Sequence, residues 1–379
     1  MPVMETSEHE AVRKAVRQFA DEEIAPIRRE YDEPGEVQFP WTVFRKAADL
    51  DFLAPHFPEE YGGSGMDFLS TVIVHEEFNR ADPGIGTGVL SGAFGTEMIL
   101  EFGEEWQKDE FVRPVLAGEM ACGTSISEPN AGSDVASIRT TAELDGDEYV
   151  LNGSKTWAST GPVADFMLVM AKTTPDAGHT GISAFIVPTD VEGFTVEREI
   201  EKLGLRASPT AEISISDARV PAENLVGEED EGFYQLMEFF NENRIMVAAN
   251  ALGAAIGAFE IAYDYTHERE AFGQSIGEFQ GIQWKLADMA TKIETTRAAI
   301  YRAATRHQAG DDVRQLASIA KYHASEISEE VSSEAIQIHG GYGYTRDFPV
   351  EKFYRDTRVQ KIVEGTSEIQ KNIIYESIE

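Results

Sequence analysis

Acidic side chains outnumber basic ones by 67 to 32 in this chain of 379 residues, and the formal charge of −35 excludes nucleic acid as a partner, because phosphates demand a basic footprint. The length suffices for a full core and two or three domains, and 42% hydrophobic with 10% aromatic residues suits a folded globular protein. A lone cysteine, Cys122, rules out an intrachain disulfide and suits a reducing cytoplasm, the Met1–Glu5 start lacks a signal-peptide plan, and no apolar run approaches the length that spans a bilayer.

The acids are spread through amphipathic segments and not gathered in a tail. That describes an ordinary core under a carboxylate-rich surface, the composition of a halophilic protein from a salt-rich cytoplasm, with an acidic mesophilic protein as the alternative. A Debye length of about 3 Å at 1 M salt removes the self-repulsion there.

Residues 1–120 read as a helical domain. Ser7-Glu8-His9-Glu10 is expected to form a capping box, with Val12, Val16 and Phe19 at helical spacing behind it. Pro40-Trp41 opens a second helix with Phe44 and Ala48 on one face, and Asp67 caps a third that carries Val72, Ile73, His75 and Phe78. Trp106, Phe111 and Val115 belong to a last helix ending near Gly118.

Over residues 121–230 the period becomes alternating. Asp145-Gly146 and Asn152-Gly153 are both hairpin-turn signals, and Phe166–Ala171, Ile182–Val187 and Ala211–Ile215 read as strands. A small barrel or sandwich is expected. Over 231–379 helices return at roughly Phe233–His267, Glu278–Gln308, Val313–Ile338 and Pro349–Ile374, an antiparallel four-helix bundle. The fold class is therefore α+β and multidomain.

Several stretches can carry chemistry. Ala121 to Asp134 is a polar, glycine-containing loop that either lines a planar polar ligand or merely joins two domains. Trp157, two residues after Lys155, either flanks an aromatic ring system or belongs to the core. In His339-Gly340-Gly341-Tyr342-Gly343 the glycines either admit a ligand to the backbone or cap a helix. Near the C-terminus a basic helical run stops at Gly365, and Thr366 and Ser367 can cap a new helix beyond it. Glu364 sits at that break, either as a solvated helix-end residue beside the glycine stop or as a carboxylate that projects into a cleft, where burial would raise its pKa toward the range of a general base. The dinucleotide and P-loop fingerprints are absent, and no histidine stands three residues after a Glu, so a paired Glu-x-x-His metal site is not expected.

Taken in order, Ser127-Glu128-Pro129-x-Ala131-Gly132-Ser133-Asp134, Lys155-x-Trp157, Arg269-x-x-Phe272-Gly273, Gln337-x-x-Gly340-Gly341-x-Gly343 and Glu364-Gly365-Thr366-Ser367-Glu368-Ile369-Gln370 resemble the acyl-CoA dehydrogenase family. The resemblance covers nearly the whole chain. It implies an N-terminal helical domain, a middle β-barrel and a C-terminal four-helix bundle. It also implies FAD, and a homotetramer built as a dimer of dimers. The implied reaction belongs to fatty acid β-oxidation: dehydrogenation of an acyl-CoA to trans-2-enoyl-CoA, with electrons passing to an electron-transferring flavoprotein.

The resemblance also implies roles. Thr124, Ile126, Ser127, Gly132 and Ser133 would line the flavin, with Ser133 reaching the acyl-CoA as well, and Trp157 and Ser159 would flank the ring. Arg269, Phe272 and Gln280 of a neighbouring subunit would hold the pyrophosphate and adenosine, with Gln337, Gly340 and Gly341 adding contacts there. Thr366 and Glu368 would meet the cofactor, while Asn241, Arg244 and Gly365 would meet the substrate. Glu364 would be the catalytic base, and its backbone N–H, with a flavin ribityl hydroxyl, would bind the thioester oxygen.

Some positions depart from the family pattern. Ser127 and Ser159 replace Thr, Val363 replaces a frequent Tyr, and Asn241 stands where many members have Asp. Asn241, with Glu128-Pro129-Asn130 and Arg206-Ala207-Ser208, is similar to glutaryl-CoA dehydrogenases, which leaves a glutaryl-CoA-type dehydrogenase/decarboxylase open beside short, medium or branched acyl substrates. A catalytically silent FAD-binding scaffold and an acyl-CoA oxidase stay open as well. Some members carry the base immediately before the residue matching Arg244; here that position is Asn243, and Glu242 is one residue off the line.

Overall fold

The computed structural model describes residues 5–33, 35 and 38–378. Most of the Met1–Glu5 start, residues 1–4, lies outside them.

The first helical section holds α1 (Ser7–Phe19), α2 (Trp41–Ala48), α3 (Phe68–Ala81), α4 (Pro83–Ser91) and α5 (Thr96–Phe102). Its last helix runs through α6 (Glu105–Gln107), a π turn over Lys108–Val112, and α7 (Arg113–Leu116). The expected capping box is one residue out of place. Thr6 caps α1 by accepting from the His9 N–H, and the His9 ring returns a bond to the Thr6 N–H. Ser7 is the first helical residue; Asp67 caps α3 as expected by accepting from Ser70.

The strands are β1 (Cys122–Ser125), β2 (Thr141–Asp145), β3 (Glu148–Ser159), β4 (Phe166–Lys172), β5 (Ile182–Pro188), β6 (Phe194–Glu199), β7 (Thr210–Pro221) and β8 (Leu225–Val226). They form one sheet in the order β6-β7-β3-β2-β4-β5-β8, with β1 on β4. The barrel is thus an open one, since its hydrogen-bonded path begins at β6 and ends at β8. The run Phe166–Ala171 is apolar throughout because both faces of β4 are covered. Phe166, Leu168 and Met170 join the core shared with the helices, while Met167, Val169 and Ala171 join the core of the sheet itself.

Asp145-Gly146 turns the β2–β3 hairpin. Asn152-Gly153 does not turn: it is a bulge inside β3, where the register to β7 slips between Leu151 and Gly153. The physical reason is crowding, because a Cβ on Gly153 would lie 2.3 Å from the Thr140 hydroxyl. The Asn152 side chain meanwhile pairs with Asp217 across the strands.

The second helical section holds α8 (Gly232–Glu268), α9 (Gln280–Gln308), α10 (Arg314–His339), α11 (Val350–Thr357) and α12 (Ser367–Glu376), with a short hairpin of β9 (Glu270–Ala271) and β10 (Gln274–Ser275) before α9. The fourth bundle helix expected over 349–374 is two helices, broken between Lys361 and Ser367. The expectation about apolar length is also corrected: Gly232–Glu268 is long and apolar enough to cross a membrane, with a window of mean hydropathy 1.7. That apolarity is spent on the interior, since 78% of the window is buried. Its small residues let α3 approach, and a Cβ on Gly253 would lie 2.1 Å from the Glu76 carbonyl.

Candidate active site

The break between α11 and α12 is built from strained backbone. Glu364 has φ 52° and Gly365 φ 86°. A left-handed conformation costs a residue with a Cβ about 1–2 kcal/mol, so the surroundings must impose it. They do so through the carbonyls. Gln370 Nε2 donates to Glu364 O at 3.1 Å and to Gly365 O at 3.0 Å. Lys321 Nζ, from α10, donates to Gly365 O at 2.8 Å, and Ser325 Oγ donates to Gln360 O at 2.8 Å. Thr366 then caps α12 by accepting from the Ile369 N–H.

The Glu364 carboxylate points inward. Its Oε2 is buried with no hydrogen-bond partner. Burial pushes its pKa up to about 7, against the pull of Lys321 and Arg244. Arg244 is 5% exposed; it donates to Asn241 Oδ1 at 3.2 Å, lies 5.6 Å from the Phe240 ring, and leaves its Nε without a partner. Burial holds its pKa below the usual value although Glu364 works the other way. Asn243 Oδ1 is buried and unpartnered too. Each such orphan costs about 1–3 kcal/mol unless a bound group supplies its partner, so a polar ligand fits here.

Glu242 is engaged elsewhere. His56 Nε2 meets its Oε1 at 3.0 Å and His307 Nε2 its Oε2 at 3.2 Å. Although burial opposes it, these two rings hold its pKa down to about 2. A carboxylate held so acidic is a poor base at neutral pH.

The loop after β1 is sewn to β3. Glu128 accepts from the backbone N–H of Arg139 and Thr140, from the Thr140 hydroxyl, and from Lys155 Nζ at 3.0 Å. Lys155, wholly buried, also donates to Ile126 O at 3.1 Å. The Thr156 N–H donates to Ser127 O at 2.9 Å, which fixes the loop's height against the strand. A buried ion pair is tolerated only where further hydrogen bonds satisfy its remaining atoms, as they do here. The Glu128–Lys155 pair thus makes the loop a built feature and not a slack connector. Ile126 and Ser127 are half-buried, while Gly132 and Ser133 are exposed.

Beside this loop β3 bulges, and Trp157 takes φ 61° with 61% of its surface exposed. A core tryptophan would be covered, so the core reading of Trp157 fails. Ser159 is half-buried two residues on. A contact path joins the loop to the Arg244 side of the cleft. Thr124 Oγ1 donates to Phe94 O at 3.3 Å, Phe94 packs on Phe239 at 5.1 Å, and Phe239 packs on Phe240 at 5.8 Å.

The remaining expected residues lie elsewhere. Arg269, Gly340 and Gly341 line a groove of about 520 Å³ at the far end of the bundle, with Tyr265, Tyr342 and others. Phe272 is 98% exposed at φ 53° between β9 and β10, and Gln280 and Gln337 are exposed on α9 and α10. Gly340 caps α10 with φ 59° and lines the groove as well. From Arg244 to Arg269, α8 rises about 37 Å at about 1.5 Å per residue. The groove at Arg269 thus lies far along α8 from Arg244.

Sequence reasoning passed over Lys321 and Glu97, and it placed Gln370 in the motif without the role of holding the break that it shares with Lys321. The Glu97 Oε2 accepts from the Gly95 N–H at 2.9 Å, and burial pushes its pKa up to about 7. Lys321 had a readable signal: it interrupts the small buried face of Ala317, Ala320 and Ala324.

Comparison with known proteins agrees with this architecture. The chain matches the acyl-CoA dehydrogenase N-terminal domain over residues 6–119, the middle domain over 123–218 and the C-terminal domain over 230–379. It is 42% identical over 372 residues to the short-chain specific acyl-CoA dehydrogenase of Clostridium acetobutylicum, covering 97% of each chain. A chain from a structural study of the electron transferring flavoprotein of Acidaminococcus fermentans superposes with a TM-score of 0.96 at 38% identity, covering 100% of this chain and 99% of that one. Butyryl-CoA dehydrogenase from Megasphaera elsdenii superposes with a TM-score of 0.94 at 36% identity, covering 99% of each. With its three sections matched in order and its full length covered, this chain belongs to the acyl-CoA dehydrogenase family of oxidoreductases.

Proposed function

We propose that this chain oxidises the Cα–Cβ bond of an acyl-CoA thioester, giving a trans-2-enoyl-CoA, with Glu364 as the base. The observation that carries the reading is the buried, unpartnered Oε2 of Glu364, set at a left-handed turn of the backbone; burial raises its pKa to about 7. A base with that proton affinity is half available at neutral pH and strong enough to take a thioester α-proton.

FAD is the cofactor, and the residues present fit it. The pinned loop at Thr124, Ile126 and Ser127 offers backbone and hydroxyl groups, Gly132 and Ser133 lie open beside it, and exposed Trp157 with Ser159 gives a flat flank. Thr366 and Glu368, at the start of α12, would meet the same cofactor. A second copy of the chain contributes Arg269, Phe272, Gln280, Gln337, Gly340 and Gly341, of which Arg269, Gly340 and Gly341 line the groove of about 520 Å³. The assembly that satisfies this is a homotetramer, a dimer of dimers.

Bound FAD supplies the acceptor for the hydride that leaves Cβ. Glu364 takes the proton from Cα, and its backbone N–H binds the thioester oxygen, where charge develops. Arg244 and Asn241 orient the CoA moiety, with Gly365 and Ser133 at the edges of the substrate. The apolar wall from Phe94 through Phe239 to Phe240 excludes water. Electrons then pass to an electron-transferring flavoprotein; a study of such a protein supplied a chain that superposes on this one.

The test is anaerobic titration of the purified yellow holoenzyme with butyryl-, octanoyl-, isovaleryl- and glutaryl-CoA. Bleaching by at least one supports the reading, and the one that bleaches fastest names the acyl class. Carbon dioxide released with glutaryl-CoA would move the assignment to the dehydrogenase/decarboxylase type. A flavin that no acyl-CoA bleaches would leave only a silent scaffold.

A further inference from the structure

We infer that Lys321 is a positioning residue for the base: from α10 its ammonium holds the carbonyl of the break and sets a buried positive charge beside the Glu364 carboxylate. The inference rests on the reading of Glu364 as the base.

Three observations carry it. Lys321 is wholly buried on a helix face otherwise made of small residues, Ala317, Ala320 and Ala324. A lysine there is expensive to desolvate, and an apolar residue of similar length would pack at less cost, so packing does not explain it. Its Nζ donates to Gly365 O at 2.8 Å, the carbonyl directly after the left-handed Glu364. Finally, Glu364 Oε2 has no hydrogen-bond partner, so the ammonium acts on the carboxylate through space while its hydrogen bond is spent on the backbone.

That division of labour suits a base. Glu242 shows the opposite arrangement: bonded directly to two imidazoles, it is held down to about 2. A Glu364 bonded directly to Lys321 would be too acidic to take the proton; with no cation nearby, burial would push it higher and leave it protonated at neutral pH. The groups that face Lys321 are Glu364 from the break, Arg244 from α8, Glu326 from α10 itself and Glu368 from α12. Burial draws the Lys321 pKa down to about 8, so its charge is present at neutral pH.

The test uses the FAD-loaded enzyme and follows flavin reduction by a saturating acyl-CoA in single turnovers from pH 5 to 9. Lys321→Met should move the acidic midpoint of the rate upward by at least about one pH unit, a tenfold loss below the midpoint. Lys321→Arg should return the midpoint toward the original value. Ser325→Ala, which loosens the same segment without changing charge, should alter the rate without moving the midpoint. If Lys321→Met does not fold, Lys321→Gln replaces it, with the same shift expected. An unmoved midpoint in the uncharged variant, or an equal shift in Ser325→Ala, overturns the proposal. Glu364→Gln run alongside separates the two claims: fast reduction in that variant removes the base itself, whereas slow reduction with an unmoved Lys321 midpoint removes only the role of Lys321.

Discussion

Glu364 combines two unfavourable conditions in one residue, a left-handed backbone and a buried carboxylate, and each is a cost to folding. The pH dependence follows with a definite sign. The folded pKa is raised from 4.5 to about 7, so the folded state binds the proton more tightly than the unfolded one. Stability from this group is full below about 4.5 and is lost as pH rises through about 7, to a limit of about 3 kcal/mol. Glu364→Gln should therefore match the parent in denaturant midpoint near pH 4.5 and exceed it at pH 8. A difference that stays constant across that range would contradict the burial argument. Glu364 was legible in the sequence because the glycine stop and the Thr-Ser cap mark a break. Its strain was not legible, because φ at a non-glycine residue leaves no mark in composition. The partners of Glu242 were illegible for a related reason: His56 and His307 come from a loop and from α9, far apart along the chain.

At the scale of elements, α3 and α8 set the spacing of the helical core. Gly253 lets them touch, and a Cβ there would meet the Glu76 carbonyl at 2.1 Å. Gly253→Ala should cost about 1–3 kcal/mol, the usual range for overpacking, read as a lower thermal midpoint; an unchanged midpoint would show that the helices can separate freely. The long helices and most strands were readable from period alone, since each has one dominant burial pattern. The failures have local physical causes. Asn152-Gly153 carries the composition of a turn, yet Gly153 is required by the Thr140 hydroxyl pressed against it. Period alone ran the last bundle helix on to Ile374, although the glycine stop at Gly365 marked its break. The apolar length of α8 was missed because its hydropathy is spread over alanines and glycines and not gathered in a leucine-rich block.

For the whole molecule, some of the positive charge is tied up in half-buried and buried ion pairs. Arg13 pairs with Glu5, Glu76 and Glu77, of which Glu76 and Glu77 are buried, and Arg355 pairs with buried Asp32 and with Glu351. The net charge of −35 comes from 67 acidic against 32 basic residues and leaves the surface short of cations. Coenzyme A is itself a polyanion and must approach that surface. In dilute buffer the repulsion is long-ranged, and at molar salt it is nearly screened. Raising KCl from dilute buffer to molar should raise the thermal midpoint by several degrees and lower KM for the acyl-CoA; no change in either would contradict the halophilic reading. The account converges on one proton transfer. Of positions 242, 243 and 364, only Glu364 offers a free carboxylate to the cleft, because Asn243 has none and Glu242 is bound to His56 and His307. The most direct test is stopped-flow reduction of the flavin in Glu364→Gln by the best acyl-CoA. Retained FAD, near-normal acyl-CoA affinity and reduction slowed by about 10²–10⁴ are expected; reduction at the parent's speed would contradict the role of Glu364 as the base.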